Sequence, residues 1–263
     1  MNELLAPAKL NLALVVGPTR PDGRHEVATV LQRISLADRI RLEPGNELDI
    51  EGFAEDTLVR RALEALAEAA GAEPAWHVEI DKQIPVAAGL GGGSSDAGAA
   101  LRLANETLPR PLDDEALLEL AAQLGADVPF FLTAGPQLGE GDGTALKPLS
   151  LPQDYWVLLL LPHGEEKAST AVVYDAFGGE DGFDERRAVL LRAVALNDLA
   201  AFPHNDLASS PLADKLLSLG AFRADVSGAG PVVYGLFAEQ AEALTAHAVL
   251  GDRGKAWIAT PAW

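Results

Sequence analysis

Apolar positions recur along the chain at two spacings. Over residues 10–16 they fall loosely on alternate positions, which predicts a strand. Residues 40–44, 48–51 and 76–80 read the same way. Residues 156–161 form a short unbroken apolar run, the mark of a buried strand. Residues 224–226 and 231–237 predict two more strands, separated by Ser227, Gly228, Ala229 and Gly230. In residues 25–36, Val27, Val30, Leu31 and Ile34 fit a helix and a strand equally. Over residues 57–70, Leu58, Ala62, Ala65, Leu66 and Ala69 share one helical face. Further helices are predicted over residues 95–108, 113–124, 186–191, 211–219 and 239–250. Asp113, Asp114 and Glu115 suit the positive end of their helix, and Pro109 and Pro111 part it from the preceding one. The glycines and prolines of residues 17–23 predict a turn.

The order of strands and helices is mixed rather than a strict alternation, which favours an α+β fold. The 263 residues allow one large domain or two small ones. A stretch rich in Pro and Leu at 146–152 suggests a boundary near 150, with lobes at 1–150 and 151–263. Hydrophobic residues make up 48% and charged ones 22%, enough for a core. There are 20 Lys and Arg against 39 Asp and Glu, a net charge of −19. That balance argues against nucleic acid and against anionic membranes, both of which attract basic surfaces. A small anionic ligand needs only a local cradle of donors and stays open.

The chain has no cysteine, which removes disulfides, thiolate metal sites and cysteine nucleophiles and fits a cytoplasmic setting. Glu3, Lys9 and Asn11 interrupt the apolar N-terminal stretch, so no secretion signal is expected. The longest apolar run, 155–162, is far short of the ~20 residues that span a bilayer. Asn105, Glu106 and Thr107 match a glycosylation acceptor but lie in a predicted helix.

The most informative segment is the glycine-rich stretch 85–95 ahead of a predicted helix. Glycine lets the backbone take positive φ and approach a ligand closely. The helix start beyond it presents unpaired amides and partial positive charge, a phosphate cradle. Ser94 and Ser95 can cap the helix or offer hydroxyls to phosphate or to a magnesium ion. A glycine turn with ordinary serine capping fits the same residues. The common phosphate-loop and dinucleotide patterns do not match.

Other candidates carry bland and sharp readings side by side. Lys9 is either a surface lysine or a charge near phosphate. Asp127, between a helix and Pro129, is either a turn or capping residue or a catalytic carboxylate beside Phe130 and Phe131. His25 is either a solvated loop histidine or a ligand-reading group. His77, His163, His204 and His247 show no metal-ligand spacing, and no nucleophile elbow occurs. Residues 227–230 alone read as a turn.

Three segments in order shift these odds. They are Pro7-Ala8-Lys9-Leu10-Asn11-Leu12, the loop at 85–95, and Val226-Ser227-Gly228-Ala229-Gly230. Together they resemble the GHMP kinase superfamily. The stretches at 22–27 and 124–131, with the long form of the loop, are most similar to its branch acting on a cytidine-diphosphate-linked methylerythritol. The resemblance runs from about residue 6 to about residue 238. It implies a two-lobed fold with ATP and substrate between the lobes, and phosphorylation of a substrate hydroxyl with ATP and Mg²⁺. Lys9 and Asp127 match the catalytic pair, the lysine near the hydroxyl and the aspartate. Pro85, Val86, Ala87, Ala88, Gly89, Leu90, Gly91, Gly92, Gly93, Ser94 and Ser95 match the phosphate loop, with Ser95 toward the metal. Lys82 and Thr57 fall on the adenine side. Asn11, Arg24, His25, Thr170 and Tyr174 match the substrate side. Two departures stand out. Arg24 replaces an aromatic that precedes the histidine, and its planar guanidinium can stack on a base. Thr57 replaces an asparagine in Glu55-Asp56-Thr57-Leu58. The partner expected is a small molecule. Oligomeric state is not set by the sequence.

Overall fold

A computed structural model describes residues 1–53, 57–164, 170–178 and 181–262. The chain forms two compact units from interleaved segments: residues 1–8, 36–86 and 91–134 in one, and 9–35, 87–90 and 135–263 in the other. Residue 150 falls inside the last of these segments, so halves at 1–150 and 151–263 do not coincide with the units.

Two strands thread both units, β1 (Asn2–Thr19) and β2 (His25–Pro44), and pair with each other. Both are longer than the hydrophobic pattern predicts. Residues 8–17 of β1 and 27–34 of β2 are buried on both faces, so the period-two alternation that marks a half-buried strand is lost there.

In the first unit, residues 39–44 of β2 pair antiparallel with β4 (Trp76–Asp81), and β3 (Asp49–Glu51) joins β4 in parallel. Four helices follow or intervene: α1 (Thr57–Ala70), α2 (Gly92–Thr107), α3 (Asp114–Leu124) and α4 (Val128–Leu132). α1 turns Val59, Ala62, Leu63 and Leu66 inward, onto Ile40, Leu42, Val78 and Leu101. Each fully buried leucine there contributes roughly 1.5–3 kcal/mol. α3 begins where its acidic start predicts, with the Asp113 carboxylate accepting the Ala116 amide at 2.9 Å.

In the second unit, residues 27–31 of β2 pair antiparallel with β5 (Gln137–Gly141), and β5 pairs with β6 (Ala145–Pro148). A separate antiparallel sheet has the order β10-β7-β9-β8. Its strands are β7 (Trp156–Pro162), β8 (Arg223–Val226), β9 (Val233–Phe237) and β10 (Gly254–Ala259). Here α7 (Pro211–Ser218) and α8 (Gln240–Leu250) bury Leu216, Ala243 and Ala246 against Leu158, Leu160 and Phe237. The unit also holds α5 (Thr170–Asp175), α6 (Phe183–Ala195) and β11 (Pro261–Ala262), which pairs with residues 33–34 of β2. Antiparallel pairings, the parallel β3–β4 pair and the helices make the fold α+β, as the mixed order predicts. No helix among the described residues is long and apolar enough to cross a membrane.

Candidate active site

The glycine-rich stretch becomes a helix sooner than expected: α2 starts at Gly92, not Ser95. Gly91 precedes it at φ 70°, a conformation glycine takes without steric cost, and no side chain caps the helix. The Ser95 amide donates to the Gly91 carbonyl at 2.9 Å, so the helical ladder begins there. The amides of Gly92, Gly93 and Ser94 stand ahead of that ladder, the groups a helix start leaves to a ligand or to water. The first turn carries no acidic residue.

Ser95, expected toward the metal, is engaged in the fold. Its side chain donates to the Pro7 carbonyl at 2.7 Å, and the residue is 1% exposed. It is a strut between β1 and α2. Ser94, one residue earlier, is half-buried.

Lys82, just past β4, is committed to two carboxylates. Its ammonium donates to Asp38 and to Asp96, each at 2.6 Å. The second Asp38 oxygen accepts the amides of Gln83 and Ile84 at 2.5 and 2.8 Å. Burial pulls the Lys82 proton affinity down, but Asp96 and Asp38 outweigh it and the net shift is upward. The triad ties β2, the end of β4 and the second turn of α2 together. A Cβ on Gly92 would come within 3.3 Å of the ammonium, so the helix start rests on it.

Asp127 stands at the N-terminal boundary of α4, yet its side chain does not cap that helix. The capping reading therefore drops out. α4 is pressed onto α2 at Gly98, where a Cβ would lie 2.9 Å from the Cβ of Phe131. Phe130 is wholly buried beside it. The uncapped amides of α2 and the turn bearing Asp127 thus belong to one packed assembly.

In the second unit Lys9 is no surface lysine: it is 4% exposed and donates to Asn11 Oδ1 at 2.5 Å. Asn11 Nδ2 donates to the Thr29 hydroxyl at 2.9 Å, and that hydroxyl donates to the Ala13 carbonyl at 2.7 Å. The Asn11 amide donates to the Ser227 hydroxyl at 3.3 Å, which donates to the Gly89 carbonyl at 3.1 Å. Gly228 takes φ 58°, which favours glycine, and a Cβ there would crowd Asn11 Oδ1 at 3.1 Å and touch Lys9 Nζ at 3.5 Å. Residues 227–230 are therefore more than a turn. They are the wall on which Lys9, Asn11 and Gly89 rest.

His25 has a fixed tautomer. Its Nδ1 lies 2.8 Å from the Gly17 carbonyl, which can only accept, so Nδ1 carries the hydrogen, and in the neutral ring Nε2 holds the lone pair. The Tyr174 ring centroid is 5.7 Å from the imidazole and that of Phe177 6.0 Å, edge-on. Tyr174 and Phe177 pack on Leu14, Val16 and Val27. The structure thus brings His25 and Tyr174 together as expected and adds Phe177. Arg24, expected beside them, has its guanidinium paired with Asp142, between β5 and β6. Burial raises the Asp142 pKa, but the Thr144 hydrogen bonds and Arg24 outweigh it and hold the carboxyl below its usual range. Thr170 opens α5, exposed, about one turn before Tyr174. Thr57 opens α1, exposed, while Glu55 and Asp56 lie outside the described residues. His77 has a partner that its spacing hid, donating through Nδ1 to the Asp49 carboxylate at 3.0 Å across the β3–β4 pair.

Residues 57–135 match the family model for the GHMP kinases N terminal domain. The chain is 36% identical over 271 residues to the 4-diphosphocytidyl-2-C-methyl-D-erythritol kinase of Syntrophus aciditrophicus (strain SB), covering 97% of this chain and 96% of that one. It is 40% identical over 259 residues to the protein of that name from Pelotomaculum thermopropionicum (strain DSM 13744 / JCM 10971 / SI), covering 89% and 88%. The chain belongs to the 4-diphosphocytidyl-2-C-methyl-D-erythritol kinase family. A crystal structure of 4-(cytidine 5'-diphospho)-2C-methyl-D-erythritol kinase matches it with TM-score 0.84 and 34% identity over 100% of both chains. The Methanococcus jannaschii mevalonate kinase, at TM-score 0.77 and 14% identity over 100% and 98%, shares the fold alone.

For a member of the 4-diphosphocytidyl-2-C-methyl-D-erythritol kinase family, the motif residues were legible and their supports were not. Asp38, Asp96, Thr29 and Phe177 hold Lys82, Asn11 and His25; Asp38, Thr29 and Phe177 sit in no motif, and Asp96, within the long glycine-loop motif, was given no role. Asp96 had one signal: a buried-helix acid three residues past a glycine run needs a partner.

Proposed function

We propose that this protein transfers the γ-phosphoryl group of ATP to the 2-hydroxyl of 4-diphosphocytidyl-2-C-methyl-D-erythritol, in the non-mevalonate route to isoprenoid precursors. Near-full-length identity of 36–40% to kinases of that name carries the reading. The absence of cysteine supports a cytoplasmic setting.

The donor set fits a polyphosphate. Uncapped amides head α2, Gly91 lets the chain turn into it, and no carboxylate stands in the first turn to repel an anion. Residues 85–95 are the proposed ATP loop. Lys82 serves it by holding the head of α2, and Thr57 lies on the adenine side. Mg²⁺ supplies charge neutralisation on the phosphates, with Ser94 as the hydroxyl toward it. Ser94→Ala is expected to raise the Mg²⁺ concentration for half-maximal rate several-fold. Ser95→Ala is expected to lower thermal stability by about 1 kcal/mol with the Mg²⁺ requirement unchanged. The reverse pattern in a Mg²⁺ titration returns the ion to Ser95.

In the transfer, the substrate oxygen forms a bond to the γ-phosphorus, the bond to the bridging oxygen breaks, and ADP leaves. Asp127 orients the hydroxyl and accepts its proton. The Lys9 ammonium, aimed by Asn11, steadies the developing negative charge.

The His25 tautomer supports a cytosine reader. Nε2 can accept from an exocyclic amino group, which cytosine has and uracil lacks. Tyr174 offers a ring face, and Arg24, anchored by Asp142, offers a flat cation on the same side. Thr170 lines the same side. His25→Ala is expected to raise KM for the cytidylyl substrate by about 10-fold or more with kcat little changed. An unaltered KM would leave His25 a structural residue.

The function is tested by ADP release across a panel of alcohols. Turnover of the cytidylyl compound, with its uridylyl analogue at least about 10-fold poorer, supports the reading. An inert cytidylyl compound beside active mevalonate or homoserine overturns it.

A further inference from the structure

We infer that two consecutive residues, Asn205 and Asp206, position both ends of the substrate site: Asn205 sets the loop behind Lys9 and Asn11, and Asp206 sets the carbonyl that aims His25. The inference rests on the substrate reading just proposed and adds two positioning residues to it. Neither touches the reacting atoms.

Asn205 is 7% exposed and spends its whole amide. Nδ2 donates to the carbonyls of Val226 and Gly228 at 2.9 and 2.6 Å, and Oδ1 accepts the Leu207 amide at 2.9 Å. Those two carbonyls flank Ser227, whose hydroxyl links the Asn11 amide to the Gly89 carbonyl. The α-carbon of Gly228 faces Asn11 Oδ1 and Lys9 Nζ. A shift of this loop therefore moves the surface against which the lysine is aimed. Only a primary amide supplies two donors and an acceptor in that geometry. An aspartate would set a carboxylate against two carbonyl oxygens.

Asp206 acts on the other end. Its Oδ2 accepts the Val16 amide at 2.8 Å and the Arg186 guanidinium at 3.1 Å. Arg186 also donates to the Val16 carbonyl at 2.9 Å, so the peptide groups on both sides of the Val16 α-carbon are held. The next residue is Gly17, whose carbonyl fixes the His25 tautomer and direction. The Phe183 ring fills the space where a Gly17 side chain would be.

The segment carrying both residues is itself anchored. Arg223, 3% exposed, donates to the carbonyls of Phe202 and Pro203 at 2.6 and 2.9 Å. Asp225 accepts the Asn205 amide at 2.9 Å. A satisfied buried network of this kind is stiff, so its two ends keep their spacing.

The test is a split in kinetic constants. Asn205→Ala is expected to lower kcat about 10- to 100-fold with KM for the cytidylyl substrate within about 2-fold. Asp206→Ala is expected to raise that KM about 10-fold with kcat within about 2-fold. Asp206→Asn keeps an acceptor for the Val16 amide and is expected to recover most of the KM. Should the alanine variants not fold, Asn205→Ser and Asp206→Asn give the same split in milder form. A merely structural role moves thermal stability and active fraction alike in both, leaves KM unchanged, and overturns the inference. A second readout needs no substrate. The imidazole nitrogen signals of His25 are expected to report one tautomer in the wild type and a mixture in Asp206→Ala; unchanged signals in the folded variant overturn the Asp206 arm. If the wild type leaves the cytidylyl compound untouched, the substrate reading fails while the His25 signals still judge Asp206.

Discussion

Asp127→Asn is expected to lower kcat by about 10²- to 10⁴-fold while ATP binds nearly as before. The substitution keeps the side-chain volume and removes only the charge and the proton-accepting strength. It costs no helix cap, because the Asp127 carboxylate does not cap α4. It leaves α4 seated on α2, since that contact is made by Phe131 and Gly98. The uncapped amides at the head of α2, proposed to hold the phosphates, are untouched. A loss confined to kcat, with KM for both substrates near the wild-type values, is the signature of an interaction made only in the transition state. Steady-state kinetics with calorimetric ATP affinity measures both. A kcat within about 3-fold of wild type removes Asp127 from the chemistry, and a matching loss of ATP affinity assigns it to phosphate binding instead.

How far the fold was legible depended on burial. α1 and α3 were readable because one face is wet and the other dry, so the 3.6-residue period survives in the residue types. β7 was readable as an unbroken apolar run buried from Val157 to Leu160. β1 and β2 were read short or left ambiguous because both faces of their middles are buried. α4 and β6, at five and four residues, are too short to display any period. The interleaving of the two units was not legible, because it follows from which stretches of β1 and β2 pair with which partners, and pairing is set by tertiary packing rather than by local pattern.

The site was legible where chemistry demands a residue type and silent where it demands a neighbour. Glycine at 89, 91 and 228 suits positive φ, and at 89 and 228 also a close approach, so the two loops announced themselves. Their mutual contact did not, since Ser227 and Gly89 are far apart in the chain. Lys9 read more easily as a snorkelling surface residue than as a buried charge, because burial is invisible until Asn11 is seen to accept its proton. Ser95 was placed toward the metal on spacing alone, and the Pro7 carbonyl that takes its hydroxyl has no sequence signature.

Lys82→Met is expected to destabilise the protein by about 3–5 kcal/mol, the usual cost of stripping one partner from a buried ion pair. Methionine fills much of the same volume, so the loss is chiefly electrostatic. The Asp38 and Asp96 side chains are wholly buried, and the variant leaves both without the ammonium they share at 2.6 Å. Against a typical domain stability of about 5–15 kcal/mol this is a large fraction. The pH dependence has a definite sign. The folded pKa of Lys82 is raised, so its contribution is complete below the ordinary lysine value and is lost only as pH climbs through the higher folded value. The gap between wild type and variant is therefore expected to stay constant through neutral pH and to close only in strongly alkaline solution. Adding Asp96→Asn to Lys82→Met removes one stranded charge and is expected to recover part of the loss. Denaturant midpoints at several pH values measure all three. A gap below about 1 kcal/mol, the scale of an exposed pair, would mean that the triad is solvated and that α2 is held at its head by something else.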